Sequence, residues 1–390
     1  MHQAPLPPLP TGFKADVSVR LREVQAFVLR CPSPVPVRTS FGTMHDRPAV
    51  FVRAQDADGA IGWGEIWCNF PACGAEHRAR LLETVIAPLV LNQTFANPAQ
   101  AFGYVSQKTD ILALQAGEPG PLAQVAAGLD LALWDLCARR AGLPLFRLLG
   151  GKAPQVPVYA SGINPDGALD VVRGKHAQGY RAFKLKIGFD DRQDLDRLAS
   201  VREWLGPHAG LMADVNQAWD LPRALAMLPL LEPLGLAWLE EPLRADSAMD
   251  AWQQLRAHTR MPLAAGENMA GERSFGAAID SGAFGVVQPD LAKWGGISGC
   301  WPVIAHIGRA GVRYCPHYLG AGVGLMASAH VLAAAGGDGW LEVDANDNLL
   351  RSLLAPAFAR VVDGHITLDD APGIGVVPDI VALQRACSVF

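Results

Sequence analysis

Polar residues recur at nearly constant intervals through the second half of the chain, and each one closes a short apolar run. From Lys186 onward the intervals are 28, 26, 27, 23, 27 and 25 residues. They end at Asp214, Glu240, Glu267, Asp290, His317 and Glu342. Strand-helix units of a (β/α)8 barrel repeat at about this interval, and the carboxyl ends of the strands share one mouth. The pattern therefore predicts a barrel with these side chains at the same end.

Eight apolar segments are predicted to be the strands of this barrel, because stretches with helical periodicity separate them. The segments are Val156–Tyr159, Ala182–Ile187, Gly210–Val215, Ala237–Glu240, Pro262–Ala265, Val286–Gln288, Val312–Cys315 and Trp340–Val343. Strands that alternate with helices pair in parallel, so the expected fold class is α/β. The stretch after the eighth strand is short, which leaves open whether a regular helix follows it.

The first part of the chain has an α+β pattern. Val17–Arg30 and Ala49–Ala57 are predicted strands, and Asp58-Gly59 marks a hairpin that leads into a third. From Ala75 to about Gly150 the apolar residues have helical spacing. We expect a flexible tail at residues 1–14, an α+β domain at 15–150, the barrel at 151–363, and a segment at 364–390 that returns to the first domain.

Composition excludes several classes of protein. The formal net charge is −5 and the isoelectric point is about 6.1, so the chain has no basic surface suited to nucleic acid. The seven cysteines form no CxxC pair, and we expect neither a disulfide framework nor a zinc site. No apolar run reaches the roughly 18 residues of a membrane span, and the N-terminus lacks an export signal. We expect a soluble, cytoplasmic protein without a membrane partner.

Three carboxylates, Asp214, Glu240 and Glu267, end three consecutive predicted strands. They would converge at the barrel mouth and repel one another unless a cation joined them. Oxygen ligands without Cys or His favour Mg²⁺, with Mn²⁺ as the weaker candidate. A single acidic residue at a strand end often caps the next helix instead, but three in succession favour a metal site. Strand alternation selects Glu240 and leaves its neighbour Glu241 as the alternative ligand.

Two lysines lie two residues apart on the second predicted strand, so both side chains point into the barrel. Burial of two ammonium groups near a metal is expected to lower the pKa of at least one of them. Lys186 would then accept a proton near neutral pH, while Lys184 would stay cationic and hold a carboxylate. The alternative, a solvated edge strand, is disfavoured by the apolar flanks Ala182-Phe183 and Ile187.

Asp290 and His317 end the sixth and seventh predicted strands, which are neighbours. The carboxylate is expected to accept the Nδ1 proton of the imidazole and to leave Nε2 facing the cavity. A lone histidine after Cys315-Pro316 is more often a core or loop residue. Its position across the barrel from Lys186 favours a catalytic role. Glu342 on the eighth strand would reach the substrate as a buried, protonated carboxyl that donates a hydrogen bond.

Seven motifs of the chain are specific as a set: KLK, ADVNQAW, WLEEP, AGEN, QPDLAKWGG, CPHYLGAG and WLE. Together they resemble the mandelate racemase subgroup of the enolase superfamily, from about residue 17 to residue 380. The resemblance implies a (β/α)7β barrel under an α+β capping domain that the C-terminal segment completes. It also implies a homo-oligomer. Related muconate-lactonizing and dipeptide-epimerase groups carry a lysine in place of Asp290, so those activities are disfavoured.

The resemblance also implies roles for individual residues. Asp214, Glu240 and Glu267 would bind Mg²⁺, Lys186 and the His317–Asp290 pair would be opposed acid/base groups, and Glu342 would be the electrophilic partner. Lys184 and Asn216 would contact the substrate or the groups around it, and Lys293 would lie near the metal.

Such a site removes the proton α to a carboxylate and forms an enediolate. Loss of a β-hydroxyl, with His317 as acid, gives a 2-keto acid, whereas reprotonation on the opposite face gives racemisation. We expect dehydration of an acid sugar, with racemisation of a 2-hydroxy acid as the first alternative and a non-catalytic ligand-binding barrel as the second.

Loops of the first domain are expected to close over the mouth and select the substrate. The candidate loops are Arg38–Arg47 and Trp63–His77, and the second carries Trp67, Asn69 and Phe70. Trp294 and Tyr318 are further candidates for aromatic walls, although core packing is the commoner role for such residues. Because the second loop carries aromatic residues, an aryl 2-hydroxy acid is a further candidate substrate.

Overall fold

A computed structural model describes residues 17–39 and 42–388 of the chain. The tail expected at residues 1–14 lies outside these residues. Within them the chain builds one antiparallel sheet and then one larger sheet of parallel strands. This order confirms the predicted change from an α+β pattern to an α/β pattern.

The first sheet packs against helices from the same part of the chain. Its strands are β1 (Val19–Thr39), β2 (Gly42–Asp56), β3 (Ile61–Ile66) and β4 (Thr94–Phe95). The helices are α1 (Gly74–Leu81), α2 (Ala87–Val90), α3 (Pro98–Ala116), α4 (Pro119–Arg140) and α5 (Leu145–Leu148). A π-helical turn, Leu82–Ile86, joins α1 to α2. The strand order in the sheet is β3-β2-β1-β4.

Helix α4 is buried along most of its length, because small residues let it approach β3 closely. A Cβ atom at Gly62 would lie 2.1 Å from the carbonyl oxygen of Ala132, and one at Gly64 would lie 2.1 Å from that of Gly128. No other residue fits at either position without moving the backbone. These glycines fix the distance between the helix and the sheet.

The second sheet is the barrel. Its strands are β5 (Gln155–Ile163), β6 (Ala182–Lys186), β7 (Gly210–Asp214), β8 (Leu239–Glu240), β9 (Leu263–Ala265), β10 (Val286–Val287), β11 (Arg313–Tyr314) and β12 (Leu341–Asp344). Its helices are α6 (Ala168–Ala177), α7 (Asp191–Leu205), α8 (Leu221–Leu231), α9 (Met249–Ala257), α10 (Glu272–Asp280), α11 (Gly296–Arg309) and α12 (Gly322–Ala335). Each of the eight predicted strand segments overlaps one of these strands.

The barrel strands are parallel and follow the chain order from β5 to β11, with β12 paired to β5. The ring closes where the amide of Glu342 donates to the carbonyl oxygen of Pro316 at 3.4 Å. The short stretch after β12 holds α13 (Leu349–Leu354), a helix of six residues. The architecture is therefore a (β/α)7β barrel, which is the fold that the resemblance implied.

Large side chains fill the lower part of the barrel interior. They form a separate cluster that comprises Tyr159, Ala182, Met212, Trp238, Ala264, Val286 and Cys315. The Tyr159 and Trp238 rings meet edge to face with their centroids 5.3 Å apart. Because this layer closes the interior from below, polar groups above it can be approached only from the mouth.

The C-terminal residues return to both parts of the molecule. Strand β13 (His365–Thr367) pairs antiparallel with the start of β5, and α14 (Ile380–Ser388) packs against β1. Cys387 on α14 forms a disulfide with Cys31 on β1. The expectation of no disulfide is wrong for this pair, because cysteines 356 residues apart leave no spacing signal in the sequence. Within the described residues, no helix is long and apolar enough to cross a membrane.

We predict that Asp135→Ala destabilises the fold. The buried carboxylate accepts the amides of Trp63 at 2.8 Å and Ile374 at 2.7 Å and pairs with Arg139, so it joins β3, α4 and the C-terminal segment. Loss of these bonds should lower the free energy of unfolding in urea by about 2–4 kcal/mol. The control is Asp170→Ala, since that side chain is 84% exposed. A loss as small as that of the control would contradict this role.

Candidate active site

Three of the predicted site residues form a row across neighbouring strands. Lys186 on β6 is the register partner of Asp214 on β7, and Asp214 is the register partner of Glu240 on β8. Register partners in a parallel sheet point to the same face, so the three side chains meet inside the barrel. Glu267 lies two residues beyond the end of β9. Residues that recur at regular intervals along the sequence are therefore neighbours in space.

Lys184 is the most buried cation of the site, with 1% of its side chain exposed. Its Nζ donates to Glu240 and lies 2.7 Å from Oε1 of Glu342 and 3.9 Å from Oδ2 of Asp214. Burial alone would lower the pKa of Lys184, but the carboxylates of Glu240 and Glu342 outweigh it and raise the pKa well above the usual value. Lys184 is a cation, as the sequence predicted.

Lys186 donates to Oδ2 of Asp214 and to Oδ1 of Asn216, each at 2.6 Å. Burial lowers its pKa and the neighbouring Lys184 adds to that effect, but Asp214 and Glu267 raise it above the usual value. The depressed lysine pKa was expected beside a bound metal ion, so it stays a prediction for the metal-bound site. The sequence placed Asp214 and Glu267 at the same mouth as Lys186, but it did not show that the lysine pairs with them directly.

The two adjacent glutamates have different surroundings. Glu240 accepts hydrogen bonds from Nε1 of Trp238 at 3.0 Å and from Nε2 of Gln288 at 2.6 Å, in addition to Lys184. Burial raises the pKa of Glu240 to about 7. Glu241 accepts from Nδ2 of Asn268. Burial and repulsion by Glu267 and Asp214 raise its pKa well above the usual value. Burial and the crowding of carboxyl groups therefore disfavour the ionised forms of both glutamates.

The predicted hydrogen bond between Asp290 and His317 is confirmed, with Oδ2 of Asp290 2.7 Å from Nδ1 of His317. The other carboxylate oxygen accepts the amides of Ala292 at 2.8 Å and Lys293 at 3.1 Å, which fixes the carboxylate plane. Nε2 of His317 lies 2.7 Å from Oε2 of Glu267. Burial lowers the pKa of His317, but the surrounding carboxylates, with Glu267 first, raise it well above its usual value.

Glu342 on β12 lies outside the cavity lining and is fully buried. It accepts hydrogen bonds from Oγ of Ser161 and from the amide of Tyr318, and it forms an ion pair with Lys184. Burial would raise its pKa, but Lys184 and His317 outweigh burial and lower the pKa below its usual value. The predicted protonated carboxyl is therefore wrong, and Glu342 is an anion in this arrangement.

The carboxylates have the chemistry of a site for a hard divalent cation. Asp214, Glu240 and Glu267 offer oxygen donors from three consecutive strands, and Glu241 places a further carboxyl group beside them. Among the described residues, no group of three or more His, Cys, Asp or Glu side chains forms a ready metal cage. Each predicted ligand is engaged by a cation instead: Asp214 by Lys186, Glu240 by Lys184, and Glu267 by His317. The donor set fits Mg²⁺ once those pairs open.

A cavity of about 250 Å³ lies above these groups, between the barrel mouth and the first domain. Five of the predicted residues line it: Lys186, Asn216, Glu267, Lys293 and His317. Lys184, Asp214, Glu240, Asp290 and Glu342 do not appear in its lining. The cavity therefore brings together the two predicted acid/base groups, while most of the carboxylates support them from beneath.

The first domain covers the cavity with both predicted loops. Met44 and Arg47 come from the first loop, and Trp67, Asn69 and Phe70 come from the second. The side chain of Arg38 lies outside the described part of the chain. Trp294 and Tyr318 do not line the cavity; Trp294 packs against Phe275 at 5.6 Å, and Tyr318 is buried beside Glu65. Both side chains therefore pack in the core, which is the commoner role for such residues.

Two buried carboxylates of the first domain hold the helices that follow the Asp290 and His317 loops. Asp130 on α4 accepts the amides of Ile297 at 2.7 Å and Ser298 at 2.9 Å at the start of α11. Glu65 on β3 accepts the amides of Ala321 at 2.6 Å and Gly324 at 2.9 Å at the start of α12. An anion at a helix N-terminus is stabilised by the free amides and the helix dipole. The first domain therefore helps to position the Asp290–His317 pair.

Sequence reasoning missed these carboxylates and also Asp344, which lines the cavity. Asp344 lies two residues after Glu342 on β12, so it points to the same face of the strand. The two-residue spacing that revealed Lys184 and Lys186 could have revealed Asp344 as well. No comparable local signal marks Glu65 or Asp130, because their partners are about 256 and 168 residues away.

Comparison with known proteins agrees with this geometry. Residues 23–150 match the Mandelate racemase / muconate lactonizing enzyme, N-terminal domain, and residues 168–382 match the Enolase C-terminal domain-like family. The chain belongs to the mandelate racemase/muconate lactonizing enzyme family. A member of this family from Bordetella bronchiseptica RB50 has a crystal structure with 58% sequence identity and a TM-score of 0.90, over 95% of this chain and 100% of the other.

Other members of the family differ in their reactions. D-galactarolactone cycloisomerase from Agrobacterium fabrum is 29% identical, over 92% of this chain and 96% of its own length. Arabinonate dehydratase from Saccharolobus solfataricus is 28% identical, with coverage of 85% and 88%. A racemase from Streptomyces coelicolor with bound magnesium is 27% identical, with a TM-score of 0.83 and coverage of 94% and 99%. The protein is an enzyme of the enolase superfamily, which sets aside the non-catalytic barrel.

We predict that Glu65 makes stability depend on pH. Burial raises its pKa from the usual 4.5 to about 7, although hydrogen bonds from the amides of Gly324 and Ala321 oppose burial. The folded protein therefore holds this proton more tightly than the unfolded chain does. The resulting stabilisation is complete below about pH 4.5 and is lost as the pH rises through about 7.

The stability of the wild type relative to Glu65→Gln should therefore fall by about 3 kcal/mol between pH 4.5 and 7. Urea unfolding of both proteins at a series of pH values measures this difference. Glu203→Gln, a change at an exposed residue, serves as the control and should leave the pH profile unchanged. Parallel profiles for the wild type and Glu65→Gln would show that Glu65 titrates normally.

Proposed function

We propose that this enzyme removes the proton α to the carboxylate of an acid sugar and dehydrates the sugar to a 2-keto acid. The observation that carries the proposal is the joint presence of Lys186 and His317 in one cavity, above a row of carboxylates. The two residues come from β6 and from the loop after β11, which are not neighbouring strands. They therefore approach a bound substrate from different sides.

The carboxylate row supplies the metal site of the proposal. Bound by Asp214, Glu240 and Glu267, Mg²⁺ would supply the positive charge that makes the α proton more acidic. Lys184 would balance the developing charge on the substrate from beneath. Lys293, whose Nζ lies 3.9 Å from Glu267, and Asn216, which accepts from Lys186, would hold the groups around the substrate carboxylate in place.

Lys186 and His317 would share the proton transfers. Mg²⁺ bound to Asp214 and Glu267 would offset the carboxylate charge that raises the pKa of both groups. Either Nζ of Lys186 or Nε2 of His317 then takes the α proton, according to the configuration of the α carbon. In dehydration, Nε2 of His317 then gives a proton to the departing β-hydroxyl, and the resulting enol rearranges to the 2-keto acid. Asp290 keeps the imidazole oriented through Nδ1. Glu342 holds Lys184 in position through their ion pair.

One relative supports dehydration of a sugar acid as the overall reaction, and a second supports only a sugar-derived substrate. One is named for dehydration of arabinonate, and another for cycloisomerisation of a galactarate lactone. Racemisation of a 2-hydroxy acid is the alternative, and the presence of two opposed acid/base groups favours it specifically. The two reactions share the first proton transfer and differ in whether a β-hydroxyl leaves.

We predict that Lys186→Ala and His317→Asn each abolish one stereochemical course of α-proton exchange. The experiment incubates each variant with pairs of α-epimeric acid sugars in deuterated water and follows the α proton by NMR. Loss of a general base should reduce exchange of one epimer by about 10²–10⁴-fold and leave the other epimer exchanging. A 2-keto acid assay read beside polarimetry then separates dehydration from racemisation.

The control for these variants is Lys108→Ala, because Lys108 is exposed and lies against Tyr104 on α3, outside the cavity lining. It should behave like the wild type. Equal residual exchange of both epimers in Lys186→Ala and in His317→Asn would refute the assignment of the two bases. Absence of exchange by the wild type with every acid of the panel would refute the proposed reaction.

We predict that Mg²⁺ raises the thermal denaturation midpoint of the wild type and does not raise that of Asp214→Asn. A ligand at a hundredfold excess over its Kd stabilises the folded state by about 2.7 kcal/mol. The same titration on Glu240→Gln and Glu241→Gln decides between the two adjacent glutamates, and Glu240→Gln should lose the response. Retention of the response in Glu240→Gln and its loss in Glu241→Gln would assign the metal to Glu241. No response in the wild type would contradict the site.

A further inference from the structure

The second loop of the first domain contacts both barrel loops that carry the Asp290–His317 pair. The amide of Trp67 donates to the carbonyl oxygen of Ala292 at 3.3 Å. Nδ2 of Asn69 donates to the carbonyl oxygen of Leu319 at 3.0 Å. Each of these carbonyl groups lies two residues beyond one member of the pair. One short segment of the first domain therefore reaches the acid and base machinery from outside the barrel.

These contacts complete a closed circuit of bonds through the pair. The amide of Ala292 donates to Oδ1 of Asp290 at 2.8 Å, and Oδ2 of the same carboxylate lies 2.7 Å from Nδ1 of His317. From the imidazole, the circuit returns to the first domain along two backbone residues and through the hydrogen bond from Asn69. A tilt of the imidazole or a shift of the carboxylate would stretch at least one of these bonds.

Two further contacts support the same barrel loops. The ring of Trp67 lies 4.9 Å from Nζ of Lys293, and the amide of Lys293 donates to Oδ1 of Asp290 at 3.1 Å. A cation above an aromatic face is attracted to it. Glu65, on the strand that leads into the second loop, binds the start of α12, which follows the His317 loop. Residues 65–69 therefore hold both barrel loops at once.

Lys186 is supported from inside the barrel instead. It donates to Asp214 and Asn216, which belong to β7 and to the turn after it. The turn after β6 is held by Asp194 on α7, whose Oδ2 accepts three successive amides, beginning with that of Gly188 at 2.7 Å. A displacement of the second loop should therefore reach His317 and spare Lys186.

We propose that Asn69 and Trp67 are positioning residues that keep the Asp290–His317 pair aligned, so that the first domain controls proton transfer at His317 and not at Lys186. A shift of about 1 Å in a reacting group can lower a rate by about 10²-fold, and the circuit limits such shifts. The inference rests on the proposed function, because it takes Lys186 and His317 as the two groups that exchange the α proton. It adds a role in proton transfer to a loop that the sequence assigns to substrate selection.

The first test compares Asn69→Ala with the wild type on both α-epimers of an acid sugar, with the full-length enzyme and Mg²⁺ in deuterated water. The His317-dependent epimer is the one whose exchange His317→Asn abolishes. Asn69→Ala should lower kcat for exchange of that epimer at least about tenfold and change kcat for the other by less than about twofold. An equal fall in kcat for both epimers, or a rise in KM for both without a fall in kcat, would assign Asn69 to substrate binding and overturn the inference.

The matched control is Asn164→Ala, the same substitution at another half-buried asparagine of the cavity lining. Asn164 follows β5 and donates to Asn346 after β12, away from the pair. Its loss should change exchange of the two epimers by the same factor. A shift in the ratio of the two epimers as large as that of Asn69→Ala would overturn the inference, because it would show that any change in the lining alters the ratio.

A second measurement follows the pair without substrate. In protein whose histidines carry a heavy nitrogen isotope, the Nδ1 proton of His317 is identified by its absence from His317→Asn, and its exchange with water is measured by NMR. Loss of one hydrogen bond from the circuit should speed this exchange by about threefold to tenfold in Asn69→Ala. Asn164→Ala should leave the exchange unchanged.

Trp67→Leu keeps the inference testable where Asn69→Ala does not fold. It removes the ring beside Lys293 but retains the backbone bond to Ala292, so it should speed exchange of the Nδ1 proton in the same direction. Unchanged exchange of this proton in both variants would overturn the inference. Absence of α-proton exchange by the wild type would instead refute the proposed function, and the imidazole proton would still decide the positioning role.

Discussion

Buried charge at the barrel mouth determines how the rest of the molecule is arranged. Lys184 lies between Glu240 and Glu342, so one ammonium group joins strands β6, β8 and β12 across the interior. Removal of one partner from a buried ion pair leaves an uncompensated charge and is strongly destabilising. The carboxylates of the candidate site therefore also hold the strands in register, provided that cations lie between them.

The main features of the barrel could be predicted because the chemistry lies at strand ends. Parallel strands of similar length place their last residues at one mouth, so the intervals from Lys186 to Glu342 were enough to predict the fold and the grouping of the site. The directions of the pKa shifts could not be predicted for Lys186 and Glu342. Each faces partners from strands elsewhere in the sequence, and those partners outweigh the burial that the local pattern indicates.

The contacts between the two domains were beyond sequence reasoning for another physical reason. Arg47 reaches a carboxylate 297 residues away, and its own surroundings in sequence are those of an ordinary loop. Glu65 and Asp130 lie within apolar segments and carry no spacing signal, yet each binds the start of a barrel helix. The first domain is therefore part of the active-site scaffold, and its residues fix the loops of Asp290 and His317 as firmly as the barrel strands do.

The disulfide between Cys31 and Cys387 changes how the chain is connected. It joins two residues that are 356 positions apart, so residues 31–387 of the oxidised protein form a covalent ring. A cross-link that closes a loop of this length removes about 6 kcal/mol of chain entropy from the unfolded state in the loop-closure model. In such a ring, one break of the backbone at any surface loop leaves a single molecule, because both pieces remain tied through the two sulfur atoms.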